Sequence, residues 1–245
     1  MIWMYWEGPK PLWIDRCQQT VFWHCDDVRL LGPQDDELQP LFREVDLSKL
    51  CMAHKADLIR AYLLEKHGGF WVDSDCVVFR PLKPIFDLAA DHGFVVSPQH
   101  DGNMSGSFQG CTAGHAIAAA WHRRQREVLA SGSYDWLSFT AHALRQAILK
   151  AKTKWYRLNH WVVQPIPWSD PERFYALRED CEHAGHLHKD SYTYMMANNM
   201  NRGVNPGHDL LEEKTFFSYL LRQSHRNIGA RPIRVSGTPM EAGKC

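Results

Sequence analysis

Residues 55–80 read KADLIRAYLLEKHGGFWVDSDCVVFR, and this stretch decides what kind of chain it is. Over residues 53–66 the apolar side chains pair one turn apart, Ile59 with Leu63 and Leu58 with Tyr62, which is the period of a helix. His67-Gly68-Gly69 supplies its stop. Residues 70–72 then form a strand, Asp73-Ser74-Asp75 stands at its end, and residues 76–79 continue extended into Arg80-Pro81. In open α/β sheets, ligands bind beyond the carboxyl ends of the strands.

Strand side chains alternate faces, so Asp73 and Asp75 are expected to point the same way. Two converging carboxylates repel unless a cation lies with them. A hard divalent ion such as Mn²⁺ or Mg²⁺ takes few carboxylates and completes its shell with water and phosphate oxygens. There it would stabilise a diphosphate as a leaving group. A lone Asp-x-Asp triplet is common in surface loops. Here the apolar flanks 70–72 and 77–79 put it in a buried setting, where unpaired carboxylates are costly. On the preceding helix, Asp57 and Arg60 are three apart and therefore neighbours. By spacing alone the simpler reading is an exposed ion pair worth a few tenths of a kcal/mol, ahead of a contact to a sugar donor.

Outward from this segment, residues 2–6 read as a strand, 11–25 as a helix and 28–31 as a second strand. Residues 34–50 are irregular with short helical pieces. Beyond the diaspartate, 93–97 is a strand, and 115–129 and 136–150 are helices. The Gly-rich stretch 102–114 reads either as a mobile loop or as a sugar-contacting loop following the metal strand. The last hundred residues are less regular. Strands alternating with helices indicate an α/β fold with a mostly parallel sheet, and no linker divides residues 1–245 into two domains.

Lys+Arg and Asp+Glu are 28 each, which gives no support for nucleic acid as a partner. No apolar run approaches the roughly 20 residues that cross a bilayer, and the opening lacks the basic start of a signal peptide. Seven cysteines without CxxC spacing point to free thiols in a reducing, cytoplasmic compartment. His183, His186 and His188 form an H-x-x-H-x-H run. Lacking cysteine spacing or an H-E-x-x-H helix, it reads as a loop rather than a zinc site. The basic run 121–126 reads as a solvated helix face.

The segment HKADLIRAYLLEKHGGFWVDSDCVVFRPL resembles the core of the DxD-containing sugar-transferase family that includes capsular polysaccharide synthesis proteins. That family's pattern, [SA]-D-x-x-R-x-x-x-L-x-x-x-G-G-x-[YW]-x-D-x-D, is met at Asp57, Arg60, Leu64, Gly68, Gly69, Trp71, Asp73 and Asp75. The opening IWMYWEGPKPLW is similar to its N-terminal IWxxWxG strand. The resemblance covers roughly the first third of the chain. It implies a GT-A-like nucleotide-binding sandwich, with residues 1–100 forming the nucleotide-sugar and metal core and 101–245 the acceptor side. It also implies a retaining transferase that moves sugar from a nucleotide-diphosphate donor, UDP-sugar favoured, to a saccharide or lipid-linked acceptor. Trp6 would stack on the base, Asp57 and Arg60 would hold the sugar, and Trp71 would lie by the ribose. Asp73 would meet ribose or sugar hydroxyls, and Asp75 would be the main metal ligand. The family's C-terminal Tyr-x-x-His-x-Trp-Asn-like stretch is altered here, with Met195 and Ala197 in place of His and Trp, leaving Asn198 or Asn199 as the further ligand. Such a protein would be cytoplasmic, with peripheral contact at the inner membrane face left open. A phosphohydrolase and a non-catalytic sugar-binding protein are the rival readings.

Overall fold

A computed structural model describes the chain apart from residues 49, 178–186, 202–208, 232 and 245. Its first half runs β1 (Ile2–Tyr5), α1 (Leu12–His24), β2 (Val28–Leu31), α2 (Gln39–Glu44), α3 (Met52–His67), β3 (Gly69–Val72) and β4 (Cys76–Val78). There follow α4 (Lys83–His92), β5 (Phe94–Pro98), β6 (Met104–Cys111), α5 (Ala116–Ser131) and α6 (Ala141–Lys150). The remainder is β7 (Trp155–Leu158), α7 (His160–Val163), β8 (Thr193–Met195), α8 (Asn198–Asn201), α9 (Phe216–Arg226) and β9 (Gly237–Met240).

Among the described residues the central sheet has seven strands in the order β2-β1-β3-β6-β5-β7-β9. β2, β1, β3, β5 and β7 share one direction, while β6 and β9 run against them. The expected mostly parallel α/β sheet is therefore present, with one reversed strand inside it and one at its edge. Alternation along β1 shows how the faces are filled. Trp3 and Tyr5 join the core under α3, α5 and α6, whereas Ile2 and Met4 join the opposite core under α4 and α7. A third cluster lies between α1, α9 and the β4–β8 ribbon, built on Cys17, Val77, Tyr194 and Phe217.

Three local expectations are corrected. Residues 102–114 are not a loop, because 104–111 form the buried strand β6 between β3 and β5. Its small residues leave room for neighbours: Gly110 faces Phe70, and Gly106 faces Arg60 and Thr140. The helix expected from residue 136 begins at Ala141. Before it, the Asp135 carboxylate accepts from Leu137 N and Ser138 Oγ, an alternative to helical bonding. Finally, the chain does not run extended through the diaspartate. Cys76 N donates to Asp73 O across a turn, and β4 leaves the main sheet to pair with β8.

Candidate active site

The connection between α3 and β3 sets the geometry. Gly68, at φ 65°, sits so close to the backbone of residues 111–113 that a Cβ there would lie 2.4 Å from Ala113 N. The chain reverses in that space, and α3 runs back along β3. From Arg60 to Gly68 is eight helical residues, about 12 Å at 1.5 Å each. From Gly69 to Asp73 is four extended residues, about 13 Å at 3.3 Å each. The two side chains therefore arrive together at the carboxyl edge of the parallel strands.

There Arg60 Nη2 lies 3.0 Å from Asp73 Oδ1 and 3.2 Å from Asp57 Oδ1. Asp57 and Arg60 are 6% and 5% exposed, so the expected solvent-exposed ion pair is instead a buried cluster. Trp71 Nε1 donates to the same Asp73 oxygen at 2.6 Å, and the guanidinium carbon of Arg60 stands 5.2 Å from the Trp71 ring centre. Trp71 itself is fully buried, which leaves its ring face covered rather than open to a ligand. Asp73 keeps 26% of its side chain exposed, and Oδ2 has no partner among the described residues.

Asp75 is held by a different device. Its Oδ2 accepts from Asn198 N at 2.6 Å and its backbone O from Met196 N at 3.0 Å. Ala197, between these two donors, has φ 53°, a left-handed conformation that costs a residue with a Cβ roughly 1–2 kcal/mol. Asn198 thus meets Asp75 through its backbone N–H, while Asn199 is exposed on the short helix α8. Ser74 Oγ donates to Tyr5 O at 2.9 Å and ties the turn to the end of β1. Trp6 follows directly, partly exposed, its Nε1 donating to Gly8 O. Lys55 Nζ donates to Glu7 at 2.9 Å, and the Tyr5 hydroxyl donates to the same carboxylate.

The electrostatics of the cluster are unbalanced. Asp57 and Asp73 lie against one guanidinium, and Asp75 feels its charge without pairing with it. Burial raises the Asp73 carboxyl above its ordinary range, with Arg60 opposing and the Asp75 charge adding to the rise. Burial also raises Asp75, against the pull of the Asn198 N–H. Among the described residues no three His, Cys, Asp or Glu side chains are arranged to hold a metal by themselves. Two carboxylates with excess negative charge nevertheless fit a hard divalent ion that takes the rest of its shell from water and phosphate.

Sequence reasoning brought Trp6, Asp57, Arg60, Trp71, Asp73 and Asp75 to this edge, and the structure does gather them there. It missed Gly106, Thr140, the Lys55–Glu7–Tyr5 chain and the Asn198 amide. A residue-by-residue pattern holds no signal for a backbone donor, and the small residues of 102–114, which read as a loop, are the signal from which the close approach of Arg60 could have been found. His183 and His186 lie outside the described residues. His188 packs near Trp161, with ring centres 5.4 Å apart, and not against the diaspartate.

Residues 39–123 match the family model described as capsular polysaccharide synthesis protein. The family resemblance holds. The match extends from α2 into α5 and includes Asp57, Arg60, Trp71, Asp73 and Asp75, a little over a third of the chain. No curated protein matches. One solved structure, titled PaToxG Glycosyltransferase, is similar over 61% of this chain and 68% of that chain, at 13% identity and a TM-score of 0.48. A likeness of that size decides neither fold nor chemistry.

Proposed function

We propose that the chain is a GT-A-like, divalent-metal-dependent glycosyltransferase acting in surface-polysaccharide synthesis. It takes sugar from a nucleotide-diphosphate donor, UDP-sugar favoured, and passes it to a saccharide or lipid-linked acceptor with retention. The observation that carries this reading is the buried Asp57–Arg60–Asp73 cluster beside Asp75 at the carboxyl edge of the sheet. Two carboxylates on one buried arginine with a third beside them give a stable fold little, whereas a site for a cation and a phosphorylated ligand uses that imbalance.

In this reading Asp75, with Asp73 beside it, holds Mn²⁺ or Mg²⁺, and the ion when bound neutralises the diphosphate leaving group. Asn198 or Asn199 would add an amide oxygen to its shell. Arg60 and Trp71 fix Asp73 Oδ1, which leaves Oδ2 directed to ribose or sugar hydroxyls. Trp71 then serves the donor through Asp73 and not through its covered ring. Asp57 and Arg60, both buried, serve the donor sugar in the same way by holding Asp73, and Trp6 stacks on the base. The phosphohydrolase reading fits less well, because a carboxylate already bound by Arg60 and Trp71 is a poor nucleophile.

The test is thermal stability against UDP, GDP and their sugars, with and without Mn²⁺. A ligand that binds the native state raises the transition temperature. One nucleotide should stabilise the protein, more so with Mn²⁺, and Asp75→Ala should abolish the response while retaining the fold. Indifference to every nucleotide in the presence of metal would sink the transferase reading.

A further inference from the structure

A second feature lies on the same edge of the sheet, away from the diaspartate. A cavity of about 250 Å³ opens where β5, β7 and β9 meet, walled by Pro98, Arg157, Asn159, His160, Thr238 and Met240. Three strand spacings separate β3 from β7 in the order β3-β6-β5-β7, which puts it about 14 Å across the sheet from Asp73.

The chemistry of its walls is one-sided, since no Asp or Glu lines it. Arg157 is partly buried, yet its guanidinium has no partner among the described residues. The other arginines among the described residues that are not fully exposed each have a partner: Arg60 and Arg124 lie against carboxylates, and Arg80 and Arg222 donate to backbone carbonyls. A partly buried guanidinium at a cavity mouth with no protein partner has its fork of donors open to a ligand. His160 is held in place beside it. Its ring centre is 4.1 Å from that of His100, and His100 Nε2 is anchored on Gln164 O at 3.0 Å. With the Thr238 hydroxyl, the cavity offers a forked cation and neutral hydrogen-bonding groups, the set that suits a planar or tetrahedral oxyanion.

We infer that this cavity is a subsite for an oxyanion, carboxylate or phosphate, carried by the acceptor. The assignment of the oxyanion to an acceptor rests on the transferase reading; the binding of an oxyanion does not. A carboxylate would come from a uronic sugar, and a phosphate from a phosphorylated or lipid-phosphate acceptor.

The test is calorimetric titration of the full chain with inorganic phosphate, glucuronate and glucose. The proteins are the parent, Arg157→Gln, Arg157→Lys and Asp75→Ala. Phosphate or glucuronate should bind, glucose more weakly. Arg157→Gln should weaken the oxyanion about tenfold or more, as expected for loss of a charged hydrogen bond. Arg157→Lys, which keeps the charge and loses the fork, should bind between the parent and the Gln variant, and Asp75→Ala should leave the binding intact. Preference for glucuronate or for phosphate then names the source. The inference is overturned if no oxyanion binds or if Arg157→Gln binds as the parent does. Failure of UDP with Mn²⁺ to bind would remove the donor reading alone and leave these titrations standing.

Discussion

Gly106 has no side chain because Arg60 and Thr140 occupy the place where one would go, and this can be tested by adding a single carbon. A Cβ on residue 106 would lie 2.3 Å from Arg60 Nη1 and 2.2 Å from Thr140 Cγ2. Non-bonded carbon contacts settle at about 3.5–4.0 Å, so in Gly106→Ala both neighbours must retreat by more than an ångström. Overpacking of this kind costs about 1–3 kcal/mol. A displaced Arg60 also forfeits its contacts to Asp73 and Asp57, now 3.0 and 3.2 Å, each worth about 1.5–3 kcal/mol when intact. Partial relaxation puts the expected total at about 3–5 kcal/mol, a fall in melting temperature on the order of 10 °C for a chain of this size. Calorimetric melting, paired with binding of UDP-sugar, measures both parts. Thr140→Ser removes Cγ2 and leaves the Arg60 clash. In the double variant, stability should recover in part while donor binding stays impaired. A Gly106→Ala protein with the parent melting temperature and donor affinity would refute the placement of Arg60 against β6.

Three further outcomes are expected. Trp6→Ala should weaken UDP binding by about 1–3 kcal/mol if the ring stacks on the base, and unchanged affinity would move the base elsewhere. Gln125 Nε2 donates to Asp57 O and Phe139 O, while its buried Oε1 has no partner among the described residues and Phe139 O also accepts from Trp121 Nε1. Loss of the two bonds is thus offset by removal of an unsatisfied oxygen, and Gln125→Leu should destabilise by only about 1 kcal/mol in chemical denaturation. A loss of about 3 kcal/mol or more would refute that offset. Burial pushes the His24 imidazole down to about 4, whereas an unfolded histidine titrates near 6.5. Between those values the unfolded chain binds the extra proton, so stability is full above about 6.5 and declines as pH falls towards 4. His24→Gln should flatten that decline, and parallel pH–stability curves for variant and parent would exclude His24 as a source.

Much of the site was legible because it is encoded by short-range spacing. The helix over residues 52–67, the glycine stop and the strand ending in Asp73 follow from local period and turn chemistry. Their lengths, eight residues of helix against four of strand, already bring Arg60 and Asp73 level. Burial of the Asp57–Arg60 pair was not legible, since a spacing of three suits a solvated helix face equally well. What buries it is β6, a strand whose glycines and serines resemble a loop in composition. Small residues there serve to admit Arg60 and Phe70, and that need arises only when α3 and β3 are packed against it.

By itself, then, the sequence determined the α/β class, the elements around residues 52–72 and the acidic turn, because these rest on periodicity and backbone preference within a few residues. Tertiary structure alone decided the rest. It broke the strand at the diaspartate and sent β4 to pair with β8, more than a hundred residues on. It set the Asn198 amide on Asp75 by way of the left-handed Ala197. It also left Arg157 without a carboxylate at the mouth of a cavity. Contacts of that range depend on which buried polar groups find partners once the chain has closed on itself, a condition set by the whole fold and by no local run of residues.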